Sequence, residues 1–143
     1  MATLGLKPIP YGQTDGPSVT TEYPLAASVA FKYAGGKFVT FDANERLALS
    51  VDGDTVIAGW AEAGEFTSSA TAGVEKVTIN TSREARYWIP ASGAVTRDLV
   101  SKGCDIRVSG GIQQANIAAA GEKVLKIHDV DITNTLVLVS IND

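Results

Sequence analysis

The chain carries one histidine, and it stands in the run His128-Asp129-Val130-Asp131, a pairing of imidazole with carboxylates of the kind on which general acid–base catalysis is built. In a regular strand neighbouring side chains alternate between faces. His128 then points away from Asp129 and Asp131, and the three converge only if the strand is bulged. The expectation is a rim histidine beside solvated aspartates. Asp52 with Asp54, and Asp42 with Asn44 and Glu45, offer oxygen donors to a hard cation. Neither set has the ordered spacing of a calcium loop, and turns are rich in these residues for their own reasons.

Nucleophiles fare no better. No serine sits in a Gly-x-Ser-x-Gly elbow, and Ala91-Ser92-Gly93 reads as a turn. Ser109-Gly110-Gly111 lacks the Gly-Lys-Ser/Thr of a phosphate cradle. Cys104 alternates with Asp105, Ile106 and Val108 as a small core residue does, and as the only cysteine it has no disulfide or Cys/His metal partner. An enzyme is thus the least favoured class, its remaining form a small hydrolase using Asp52, Asp54 or His128. No catalytic residue, cofactor or metal is expected.

The aromatics and the apolar strands are more informative. Trp60, Tyr87 and Trp88 are either core residues or anchors of a subunit contact, where aromatic residues and arginine concentrate, and Arg83 and Arg86 flank the same strand. Residues 135–141, TLVLVSI, are apolar on both parities, as is the strand around Trp88. A strand covered on one face only does not look like that. The expected subunit interface is therefore Trp60, Arg86, Tyr87, Trp88, Val137 and Val139. A ligand-binding β-sandwich module, with Trp60 or Trp88 stacked on a sugar, is the alternative.

The elements that position these residues are short strands. Residues 37–41, 46–51, 55–61 and 74–80 alternate or run apolar between Gly-rich turns, and Asp52-Gly53 between two of them predicts a hairpin. Residues 95–108 hold two strands around Lys102-Gly103, and 112–120 are loop or strand. In 122–130, Leu125 and Ile127 share one face, with Val124, Lys126, His128 and Val130 on the other. About eight strands with no convincing helix predict an all-β body, 26–143, built as a small β-barrel or β-sandwich.

Residues 1–25 differ. They hold four of the five prolines and show no periodicity, which predicts an extended N-terminal arm. Leu4, Leu6, Ile9, Tyr11, Val19 and Tyr23 make it more apolar than an idle tail. At about 3.3 Å per residue such an arm reaches roughly 80 Å, enough to cross onto a neighbouring molecule. The other reading is a disordered or self-packed terminus.

Composition sets the limits. With 143 residues, 45% apolar and 20% charged, the chain suffices for one domain with a single core. A formal net charge of −4 gives no electrostatic reason to bind nucleic acid or an anionic membrane. No apolar run approaches the ~20 residues that span a bilayer, and the start lacks the features of a secretory leader. A soluble protein made in the cytoplasm is expected.

The order VIAGWAEAGEF, VEKVTI, ARYWIPA, VSKGCDIRV and GEKVLKIHDVD, closing on an apolar strand, resembles the decoration (cement) proteins on the heads of tailed bacteriophages. The resemblance is one of layout and spans about Lys37 to Asp143. It implies a β-rich body with an N-terminal arm, commonly a homotrimer. Such proteins sit on the outer capsid surface of the virion and hold neighbouring major capsid protein subunits together. The arm residues named above would then be the capsid contact.

Overall fold

The structure, a computed structural model, describes residues 12–31, 36–51, 54, 56–62, 65–109, 112–117 and 123–142, with the backbone alone for 12–15. The described residues form thirteen strands in chain order. The first seven are β1 (Gly12–Asp15), β2 (Thr20–Pro24), β3 (Ala30–Phe31), β4 (Lys37–Phe41), β5 (Leu47–Leu49), β6 (Gly59–Ala61) and β7 (Phe66–Thr67). There follow β8 (Lys76–Asn80), β9 (Arg86–Pro90), β10 (Gly103–Ser109), β11 (Ile112–Asn116), β12 (Leu125–Asp131) and β13 (Leu136–Ile141). The only helical element among the described residues is a 3₁₀ turn, Arg97–Leu99, so no helix there is long and apolar enough to cross a membrane. The all-β expectation holds.

The strands form two large antiparallel sheets and one small one. The larger runs β1-β9-β13-β12-β10-β11, the smaller β2-β8-β6-β4-β5, and β3 pairs with β7. The larger sheet curls almost into a barrel. Past the end of β9, Ala91 bridges Ala115 of β11, and the Ser92 N–H donates to the Ala115 carbonyl at 2.9 Å. In the smaller sheet Leu25, just after β2, bridges Leu47 of β5, and the Ala26 N–H donates to Leu47 at 2.9 Å. Closure of this kind shortens the exposed edges that make flat sheets associate.

Two cores result, and the smaller sheet lies between them. Phe38, Ile57 and Trp60 join Tyr87, Ile89, Val137 and Val139 in the barrel core. Val39, Leu47, Ala61 and Ile79 face a second core with Leu25 and Phe31. A sheet packed on both sides is apolar on both parities, which is how residues 55–61 read. Gly36 belongs to the same packing, since a Cβ there would collide with the indole of Trp60.

Four expectations are corrected. Of the two strands expected in residues 95–108 only β10 forms, and the residues ahead of it hold the 3₁₀ turn. The strands expected to form a hairpin about Asp52-Gly53 do not pair: β5 and β6 lie on opposite sides of β4. Asp52 and Gly53 themselves lie outside the described residues. Residues 12–25 of the expected arm are not detached, because β1 pairs with β9 and β2 with β8, and Leu25 is buried. Finally, Val124 and Val130, expected on the opposite face, join Leu125 and Ile127 in the barrel core. Ile127 and Asp129 oppose the consecutive residues Val139 and Leu138, so His128 is an extra residue that resets the alternation.

Candidate functional site

Sequence reasoning placed the site on strands β6, β9 and β13 and on the N-terminal segment. The register of β9 divides its residues. Tyr87 and Ile89 point into the barrel, while Arg86 and Trp88 take the outer face. Inside, the rings of Trp60 and Tyr87 stack at 4.2 Å and 18°, and Phe38 meets them edge-on at 4.7 and 5.6 Å. The Trp60 Nε1–H donates to Glu62 at 3.2 Å. The Tyr87 hydroxyl has no hydrogen-bond partner among the described residues. Burial, reinforced by the charge of Glu62 and opposed by that of Arg83, pushes its pKa far above the ordinary range.

Four of the six expected interface residues are therefore interior. Trp60, Tyr87, Val137 and Val139 are at most 1% exposed and are taken up by the chain's own core. Their apolar character follows from the barrel core that they fill. Trp88 forms a separate outer cluster with Leu136 and Leu138, and Arg86 is half-buried beside it. At 1% and 8% exposure respectively, neither Trp60 nor Trp88 offers an open ring for a sugar.

The N-terminal segment is met from Gly12 onward. Val19 is exposed and Tyr23 half-buried, its ring edge-on to Phe41 at 4.9 Å. Leu4, Leu6, Ile9 and Tyr11 lie outside the described residues. Thr20, Thr21 and Glu22 of β2 are exposed, and the segment before it is held by Asn80. The Asn80 Oδ1 accepts the Val19 N–H at 3.0 Å, and its Nδ2 donates to the Pro17 carbonyl at 3.3 Å.

Chain chemistry is spread thin. No group of three or more His, Cys, Asp or Glu able to hold a metal occurs among the described residues. Asp42 accepts the N–H groups of Asn44 and Arg46 at 2.8 and 3.0 Å, and Asp54 accepts that of Val51 at 2.8 Å, so both carboxylates cap turns. The Cys104 thiol is buried, and burial with the nearby Asp105 pushes its pKa up to about 12, which leaves no thiolate at neutral pH. Two clefts lie away from these groups or beside the thiol. One of ≈ 360 Å³ lies among Ser18, Thr20, Trp60, Glu62, Thr78 and Asn80, and one of ≈ 520 Å³ among Lys102, Cys104, Ile117 and Lys123.

No family model, curated protein or solved structure matches this chain.

The bulge at His128 was the one condition under which its run could converge, yet the carboxylates turn elsewhere. Asp129 accepts the Val130 N–H at 2.8 Å and pairs with Arg97 at 3.3 Å. Asp131 accepts from the main chain and side chain of Asn134 at 3.1 and 2.8 Å. His128 instead has Nε2 2.7 Å from Ser140 Oγ, on β13. Sequence reasoning missed Ser140, whose only signal is that it is the sole polar residue in an apolar strand.

Proposed function

We propose that the chain is a structural virion protein that binds the outside of a tailed-phage head and clamps neighbouring major capsid subunits, acting as a homotrimer. The observation that carries this reading is the way the N-terminal segment joins the body. It supplies an edge strand to each large sheet, β1 to one and β2 to the other. An edge strand is held by main-chain hydrogen bonds, and a neighbouring sheet offers the same bonds. Residues 1–11 precede β1 and carry Leu4, Leu6, Ile9 and Tyr11, apolar residues suited to grooves between capsid subunits.

The clamping itself is multivalent. A trimer that touches several subunits turns each later contact into an intramolecular one, so weak contacts sum to tight retention. The net charge of −4 favours solubility of the free protein in the host cytoplasm before it reaches the shell. It also argues against nucleic acid as the partner.

Light scattering coupled to size exclusion tests the assembly step. A mass three times that of the 14.9 kDa chain, held over a hundredfold dilution, is expected. A monomer at every concentration contradicts assembly before capsid binding.

A further inference from the structure

Where the loop before β9 meets β12 and β13, a cleft of ≈ 310 Å³ is lined by Arg83, Glu84, Arg86, His128 and Ser140. Its floor is built by register. Arg86 on β9 and Ser140 on β13 take the outer face of the barrel, opposite the inward Tyr87, Val139 and Ile141, and the bulge turns His128 toward Ser140. The cleft is positive. Arg83 is fixed by donating to the carbonyls of Thr81 and Ile57 at 3.1 and 3.0 Å. Arg86 pairs with no carboxylate among the described residues. Lys126 lies on the same face of β12, opposite Ser140. Against these stand Glu84, exposed at the rim, Asp129, which is paired to Arg97, and Asp15, the residue of β1 opposite Arg86.

We infer that this cleft binds a small oxyanion of the phosphate class, held by the Arg86 guanidinium and the Ser140 hydroxyl, with His128 taking up a proton as the anion enters. Guanidinium is the side chain best matched to such an anion, since its planar fork donates two parallel hydrogen bonds. Without the anion, the Ser140 O–H donates to a neutral His128 Nε2. Burial, with Arg86 and Lys126, holds the imidazole below its ordinary pKa and so neutral at pH 7. With the anion present, the hydroxyl turns its hydrogen to the ligand and accepts from the protonated Nε2–H. The balance is one proton gained from solvent per anion bound, and no covalent bond changes. For an anion of fixed charge, binding therefore strengthens as pH falls.

His128 is the chain's only histidine, so its ring resonances report the site without assignment. The experiment is a pH titration of these resonances by NMR in the full chain, with chloride replaced by inorganic phosphate at matched ionic strength. Phosphate is expected to raise the His128 pKa by about half a unit or more, because a bound anion favours the charged imidazole. The rise should vanish in Arg86→Gln and shrink by at least half in Ser140→Ala, a change that keeps the fold and the charge. A pKa identical in phosphate and chloride overturns the proposal, as does an undiminished rise in Ser140→Ala. An equal response to acetate overturns the phosphate assignment.

Discussion

The side-chain amide of Gln113 pairs with both main-chain groups of Phe38, 75 residues earlier in the chain. Its Oε1 accepts the Phe38 N–H at 2.8 Å, and its Nε2 donates to the Phe38 carbonyl at 2.7 Å and to the Ser50 carbonyl at 2.9 Å. Gln113 is on β11 of the larger sheet and Phe38 on β4 of the smaller. One buried amide thus does between the sheets what a peptide group does within one. Removing it leaves main-chain groups of Phe38 and Ser50 dry and short of partners.

Gln113→Leu is accordingly expected to cost about 2–4 kcal/mol, one or two orphaned buried groups, read as a fall in the urea midpoint at unchanged slope. Gln113→Glu should cost at least as much, because a carboxylate accepts only and faces two carbonyls. A loss below about 0.5 kcal/mol in both variants contradicts the bridging role.

The buried acids give the pH dependence at the alkaline end. Tyr87 and Cys104 both have folded pKa values raised above their unfolded ones. Above pH 9 the unfolded chain releases the Cys104 proton while the folded chain keeps it, and above pH 10 the same holds for Tyr87. The stability they contribute is full below pH 9 and is lost progressively as pH rises toward 12. Denaturation at pH 7, 9 and 11 checks this, with Cys104→Ala expected to flatten the decline. Tyr87→Phe removes a hydroxyl that has no partner among the described residues, and at pH 7 it should leave stability unchanged or raise it by up to about 1 kcal/mol. A flat profile from pH 9 to 11 would count against both assignments.

The extra residue in β12 makes a deletion test. Ile127 and Asp129 already face consecutive residues of β13, so removing His128 joins two correct registers and restores simple alternation. Deleting His128 should leave a folded protein within about 1 kcal/mol of the parent, whereas deleting Val130 puts Asp129 on the inner face and should prevent folding. Comparable loss from both deletions would contradict the bulge.

What was legible in the sequence was local. Alternation at Leu47 and Leu49 and the apolar runs at Trp88 and Leu138 mark strands because burial leaves its period in the chain. What those runs are buried against is not local. The apolar character of Trp60, Tyr87, Val137 and Val139 pointed to a partner or to the chain's own core, and the barrel core accounts for it. The Asp52-Gly53 hairpin failed because β4 offers two edges, and both β5 and β6 take one. Val130 was misassigned because one extra residue inverts every parity after it. Gln113 and Ser140 carried no motif, since their importance lies in partners 75 and 12 residues away.

Binding to the shell is the most direct test of the proposed role. Purified full-length protein would be sedimented with empty heads assembled from the major capsid protein of the same genome, beside a variant lacking residues 1–11, which spares β1 and β2. The account predicts that the full chain pellets with the heads to a saturating level and resists washing, while the truncated chain stays folded and remains in the supernatant. Full-length protein that stays in the supernatant at every ratio would contradict the capsid role, and equal retention of both forms would contradict the part given to the N-terminal segment.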